Sequence, residues 1–244
     1  SGTSVAKGAS DMTLLDDSFG SIVNAVMWGR SLYKNLQRFL FFQLTVNVAA
    51  LLLVLGGAVI GTELPLTVTQ ILWVNLIMDT FAAMALASLP PTKDVMDDKP
   101  RQQSDFIINH SMVRGIVGTG VAMFAVMFIY LIHCFNTGGG MQTHELSMFF
   151  TAFVMLQFWN LFNAKALGTD HSAFRGLCHD KVLTGILVVV FVGQWVIVTF
   201  GGKMFRTVPL SLLDWVYVVA ATSLVLWAGE IWRLVARLIT QNGH

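Results

Sequence analysis

Long apolar runs alternate with short polar connections along the chain, and six of them are long enough to cross a bilayer: 39–60, 66–89, 112–135, 146–164, 182–200 and 212–234. A helix needs roughly 20 apolar residues to span a hydrocarbon layer roughly 30 Å thick. The prolines at 65, 90, 91, 100 and 209 all fall in connections or at span edges, where they punctuate helices without breaking them. No proline occurs between Ser1 and Pro65, and Asp17 or Ser18 offers an N-cap, so one helix is predicted from about Phe19 to Ile60. At 1.5 Å per residue it is roughly 60 Å long, about twice the membrane thickness. Its first half sets Phe19, Ile22, Val23, Val26 and Tyr33 among polar neighbours and reads as an amphipathic cytoplasmic stalk. The alternative is a juxtamembrane helix lying on headgroups, aided by Arg30, Lys34 and Arg38. The predicted fold class is an all-α membrane protein of six transmembrane helices, with a long stalk helix continuous with the first.

Composition agrees with this pattern. Of 244 residues, 55% are hydrophobic and 12% charged, about half the charged share of a soluble globular domain. A net charge of +1 gives no sign of a nucleic-acid partner, whereas the bilayer is an evident one. The placement of the charges matters more than their sum. With the start of the chain inside, 13 of the 15 Lys and Arg residues lie on the cytoplasmic side and only Lys203 and Arg206 outside, so both ends are expected in the cytoplasm. Cys134 and Cys178 match no metal-ligand spacing and fall near opposite faces of the membrane. The opening SGTSVAKGASDMTLLDD is too polar for a signal peptide and has no initiator Met, which points to a fragment of something longer.

Polar side chains at membrane depth must face protein or a watery cavity, and they mark functional candidates. In LTVTQILWVNLIMDTFAAMALASL, Asn75 and Asp79 are four apart and project from one helical face, with Thr80 beside them. Asp79 is the one acidic residue near the centre of a span, since Asp214 and Glu230 lie toward the ends of theirs. Counted at 1.5 Å per residue from the cytoplasmic ends, Asn47 and Gln157 lie about 12 Å deep and Asp79 about 15 Å. Three helices thus place oxygen-bearing side chains in one layer, and such hard donors suit Ca²⁺, Mg²⁺ or an alkali cation. For Asn47, Gln157, Asn160 and Asn163 the alternative is interhelical hydrogen bonding, worth roughly 0.6 to 2 kcal/mol each. Asp79 has no Lys or Arg at its depth, so a cation or a proton is its natural partner. Tyr130 and His133 read as interfacial anchors, the tryptophans as belts or packing, and Glu230 with Arg233 as a local pair.

The stretch GTSVAKGASDMTLLDDSFGSIVNAVMWGRSLYKNLQRFLFFQLTVNVAALL, followed by LWVNLIMDTFAAMALASLPPT, resembles the end of the phosphorylation domain and the fifth and sixth membrane helices of P-type calcium-transporting ATPases. Within that family it is most similar to the plasma-membrane (PMCA-type) subgroup, as is FGGKMFRTVPLS before the last span. The resemblance implies that residues 1–18 end the phosphorylation domain, 19–38 form the stalk, 39–239 hold membrane helices five to ten, and 240–244 are a tail. It further implies Asn47, Asn75 and Asp79 as Ca²⁺ ligands, with Gln157, Asn160 and Thr80 as accessory polar candidates. Ala50 and Gln157 stand where endoplasmic-reticulum-type pumps have glutamates, so one calcium per cycle is expected. The phosphorylated aspartate, the sites for ATP and Mg²⁺, the actuator domain and the fourth-helix glutamate would lie upstream in the same polypeptide. No catalytic residue is therefore expected within the chain. With about ten residues after the last span there is no room for a calmodulin-binding tail, which suggests a bacterial inner or plasma membrane.

The resulting expectation is the C-terminal membrane portion of an ATP-driven calcium exporter. Its rivals are a self-contained six-span cation transporter or channel, a non-transporting scaffold, and the same pump type carrying another cation. The first rival requires inverted-repeat symmetry, yet the Asn-x-x-x-Asp layer has no duplicate in the last three spans.

Overall fold

A computed structural model of the chain describes residues 3–16, 18–61, 66–100, 106–138, 142–169, 171–177 and 180–241; the side chains at 78–79, 137–138, 236–237 and 239–241 are outside the described set. The described residues are helical and contain no strand. In order they form α1 (Ser4–Ala9), α2 (Phe19–Val59), α3 (Val68–Leu76), a π-helical segment (Ile77–Ala82), α4 (Ala83–Ala87), a 3-10 turn (Lys93–Met96), α5 (His110–Gly138), α6 (Thr143–Lys165), α7 (Lys181–Phe200), α8 (Gly202–Phe205) and α9 (Leu212–Gln241). Six helical stretches are long and apolar enough to cross a membrane, with α3, the π segment and α4 acting together as the second.

The first span and the residues before it from Phe19 on are one unbroken helix of 41 residues. Ser18 occupies its N-cap position without a side-chain cap bond, and Asp17 lies outside the described residues. Asp16 braces this start, accepting from Ser21 Oγ at 2.6 Å and from the Ser18 N–H at 3.3 Å. The Ser21 hydroxyl, and after it the Ser18 N–H, hold the Asp16 carboxyl below its ordinary pKa, which suits an anion beside the positive end of a helix dipole. At the other end Gly61 adopts φ +71°, and the Ile60 and Gly61 N–H groups close on Gly56 and Ala58 carbonyls. This is the left-handed stop that glycine permits.

α6 is the centre of the bundle and the most buried of the six spans. Phe149, Phe150, Thr151 and Leu156 on it are fully enclosed. α9 packs along one side of α6 through Trp159 Nε1 donating to Thr222 Oγ1 (3.1 Å) and Asn163 Nδ2 donating to the Val225 carbonyl (3.0 Å). Gly229 makes room for that contact, since a Cβ there would collide with Asn163 Oδ1. On the other side α5 lies against α2 at glycine-wide spacing. A Cβ on Gly120 would stand 2.7 Å from Val48 Cγ1 and 3.1 Å from the Thr45 carbonyl, whereas one on Gly118 would meet nothing within 4 Å. Small residues at such crossings let helix backbones approach where no hydrophobic effect drives them together.

The two glycines generate opposite expectations. Gly120→Ala should force α2 and α5 apart and lower stability by about 1 to 3 kcal/mol. Gly118→Ala should be neutral or stabilise by up to about 1 kcal/mol, through helix propensity alone. Thermal unfolding of the two variants in detergent, monitored by loss of the monodisperse peak, separates them.

Candidate cation site

The second span begins on a strong start signal and then changes its winding. Thr67 and Gln70 form a reciprocal capping box at the start of α3, satisfying the first orphan N–H groups of the helix. From Ile77 to Ala82 the backbone takes wider π turns before returning to α-helix. Such turns inside α-helices recur at functional sites because they free backbone groups from the regular ladder. Asp79 and Thr80 belong to this segment. The side chain of Asp79 lies outside the described residues, while Thr80 is exposed.

Asn47 on α2 and Asn75 on α3 line one cavity of about 210 Å³. Its wall is otherwise apolar, made by Val46, Ala50 and Leu53 of α2, Ile71 and Val74 of α3, and Phe149 and Phe153 of α6. Both asparagines are classed as exposed, as are Leu51, Val54, Leu72 and Leu76 around them. The six-helix bundle therefore presents two exposed amides around an open cavity between α2 and the second span.

Gln157 and Asn160 occupy a different setting. They are 1% and 0% exposed, and among the described residues none of their four side-chain N and O atoms has a hydrogen-bond partner. Phe149, Phe153 and Gln157 follow one another at four-residue steps, with Asn160 three further on, so the two amides continue the α6 face that walls the cavity. They do not line it themselves. The mid-membrane layer expected from depth alone is thus divided between an open pair, Asn47 and Asn75, and an enclosed pair on α6.

Other polar groups resolve as packing. Asn163 is fully used, donating to Val225 and accepting from Arg233 Nη2 at 3.1 Å. Arg233 also pairs with Glu230 at 2.9 Å, and Glu230 accepts from the Ser172 hydroxyl and the Ala173 N–H. Tyr130 is half-buried and stacks on Phe149 with ring centroids 6.2 Å apart. Trp73 donates through Nε1 to Gln194 Oε1 at 2.9 Å. Gln194 was legible as a lone amide in the apolar run of α7, KVLTGILVVVFVGQWVIVTF, but only the fold pairs it with Trp73. Cys134 is a buried free thiol, and Cys178 lies outside the described residues. Among the described residues no three His, Cys, Asp or Glu side chains gather as a metal site.

The basic residues in the first half of α2 point at protein. Arg30 Nη1 donates to the carbonyls of Val95, Met96 and Asp98 at 3.0, 3.3 and 2.9 Å. Lys34 pairs with Asp98 at 2.7 Å, and Asn35 donates to the Leu89 carbonyl at 3.0 Å. Arg38 donates to Asn35 Oδ1 (2.9 Å) and the Leu167 carbonyl (3.4 Å). The connection that follows the second span is thereby tied to α2 at three of these positions, Arg30, Lys34 and Asn35, while Arg38 reaches the segment after α6.

A family model described as the C-terminus of cation-transporting ATPases matches residues 63–235. The chain is 41% identical over 228 residues to plasma membrane calcium-transporting ATPase 2 of Oreochromis mossambicus, covering 89% of this chain and 20% of that protein. It is 38% identical over 242 residues to plasma membrane calcium-transporting ATPase mca-1 of Caenorhabditis elegans (94% and 19%). It is 39% identical over 257 aligned positions to plasma membrane calcium-transporting ATPase 1 of Gallus gallus (100% and 21%). The chain spans about a fifth of the length of these relatives.

The contrast between unpartnered and partnered amides is measurable. Gln157→Met replaces an unsatisfied group by an apolar one of similar shape and should leave stability unchanged or raise it by about 1 kcal/mol. Asn163→Leu abandons two partners, one of them the charged Arg233, and should cost about 2 to 4 kcal/mol. Chemical or thermal unfolding of the two variants side by side checks both signs.

Proposed function

The chain belongs to the family of cation-transporting ATPase C-terminal regions, and from that membership we propose that it is the C-terminal membrane portion of an ATP-driven calcium export pump. The observation that carries this reading is the open cavity shared by Asn47 and Asn75. Hydrocarbon offers no partner to amides or hydroxyls, so a face displaying Asn47, Asn75 and Thr80 requires cover from further polypeptide or a bound cation. Upstream helices of the same polypeptide would close that face and complete the ligand set. The names of the relatives, all calcium-transporting ATPases, favour Ca²⁺ as the cargo.

On this reading Asp79 supplies the carboxylate, and Asn75 and Asn47 the neutral oxygens, of one mid-membrane Ca²⁺ site. The wider winding at Ile77–Ala82 would free backbone carbonyls for the ion. Ala50 gives the cavity a methyl wall, and Gln157 is neutral, so the bundle brings a single carboxylate, Asp79, too little anionic charge for two divalent ions. Residues 1–18 would end the phosphorylation domain and 19–38 form the stalk. The basic residues gathered at the Arg30 end would place both ends of the chain in the cytoplasm. ATP, Mg²⁺ and the phosphorylated aspartate would be held upstream.

The stalk explains how phosphorylation reaches the site. α2 is one rigid rod, so a tilt at its Phe19 end moves Asn47. Arg30, Lys34 and Asn35 drag the connection after the second span with it. The ligand cage would thus be deformed from two helices at once, releasing calcium to the far side. The site would then take a proton on Asp79, since an unpaired carboxylate is costly in hydrocarbon.

In the full-length pump, Asp79→Asn and Asn75→Ala should each raise the calcium concentration for half-maximal phosphorylation by ATP by on the order of 100-fold or more. Phosphorylation from inorganic phosphate, which needs no calcium, should persist. Flux measurements should give one calcium per ATP. Unchanged calcium dependence in Asp79→Asn would return these residues to a packing role, and two calciums per ATP would refute the single site.

A further inference from the structure

The half-span that carries Asn75 is fastened on the side away from the cavity. Trp73 and Asn75 are two positions apart, roughly 200° around the helix, so one faces α7 while the other lines the cavity. Trp73 Nε1 donates to Gln194 Oε1 at 2.9 Å. One turn toward the Lys203 end, Gln70 Nε2 donates to the Phe205 carbonyl at 2.7 Å, and Thr69 Oγ1 donates to the Met204 carbonyl at 2.8 Å. These carbonyls are presented by α8, which stops at Arg206 in the left-handed region (φ +55°). Gln70 also accepts from the Thr67 N–H at 2.9 Å, so the start of α3 and its anchor on α8 are one unit.

The Trp73–Gln194 contact is specific. Gln194 is completely buried, and its orientation is fixed because an indole N–H can only donate and must meet the amide oxygen. Gly193 lets the ring come close: a Cβ there would stand 2.8 Å from Trp73 Cη2. α3 is thereby held at one rotation about its own axis, with the π turns beginning immediately after its last residue, Leu76.

We propose that Gln194 is a positioning residue for the cation site: by accepting from Trp73 it sets the roll of α3 and so aims the Asn75 amide into the cavity. The proposal rests on the reading of Asn75 as a calcium ligand. α3, α7 and α8 then form the static wall of the site, and movement during transport is confined to α2 and to the segment beyond the π turns.

The test uses the full-length pump with Gln194→Met, which keeps volume and removes the acceptor, Trp73→Phe, which removes the donor, and the two together. Each single variant should raise the calcium needed for half-maximal phosphorylation by ATP roughly fivefold to twentyfold. The maximal phosphoenzyme level and phosphorylation from inorganic phosphate should stay near wild type. The double variant should be no worse than the more affected single one, because both lose the same bond. Wild-type calcium dependence in Gln194→Met overturns the proposal, and so do additive effects in the double variant. Loss of inorganic-phosphate phosphorylation in both singles also overturns it, since the bond then serves folding in general. A parent pump without calcium-dependent phosphorylation fails at the earlier step, the calcium reading itself.

Discussion

Hydrocarbon cannot hydrogen-bond, and the arrangement of this bundle follows from how each polar group at membrane depth is answered. Three answers occur. Trp73 with Gln194, Trp159 with Thr222, and Asn163 with Val225 and Arg233 are answered by neighbouring helices. Gln157 and Asn160 are enclosed without a protein partner, the setting in which a buried water is ordinarily held. Asn47 and Asn75 line an open cavity. The first group fixes α3 to α7 and α9 to α6, and on the proposed reading the last marks the cation site.

The same accounting gives the bundle a stiff part and a moving part. α6 and α9 are joined by direct side-chain bonds and a glycine-wide contact, and α3 is stapled to α7 and α8 at three points. α2 has a different relation to its surroundings. It packs on α5 through glycines, and at its Arg30 end its ties run to a connecting segment instead of a span. Those ties are charge-assisted bonds from one guanidinium to three carbonyls. On the proposed reading, this is what allows one rod to transmit a domain movement to Asn47 without dismantling the bundle.

Much of the fold was legible because a bilayer imposes length and polarity on its spans. Six apolar runs, prolines confined to connections and an uninterrupted stretch before Pro65 lead to six spans and one long first helix. Asn47 and Asn75 were legible as cavity residues, because a mid-span amide must face something other than lipid. The π turns at Ile77–Ala82 were not, since no glycine or proline marks them. Ser18 stands at the expected cap position, but the bonds there come from Asp16, because they depend on the path of the chain before Ser18. Depth counting set Gln157 in the same layer as Asn47, and the fold puts it in a separate, enclosed environment on α6.

What the sequence determined by itself was the number of crossings, their helical form and which residues carry polar groups into the membrane, because these depend on local composition and on the bilayer alone. Which polar group meets which was decided only by tertiary structure. Whether an amide becomes a packing bond, an enclosed orphan or part of an open cavity depends on the rotation of each helix against its neighbours. That rotation is set by close contacts such as Gly120 on Val48 and Gly193 on Trp73, between residues far apart in the chain.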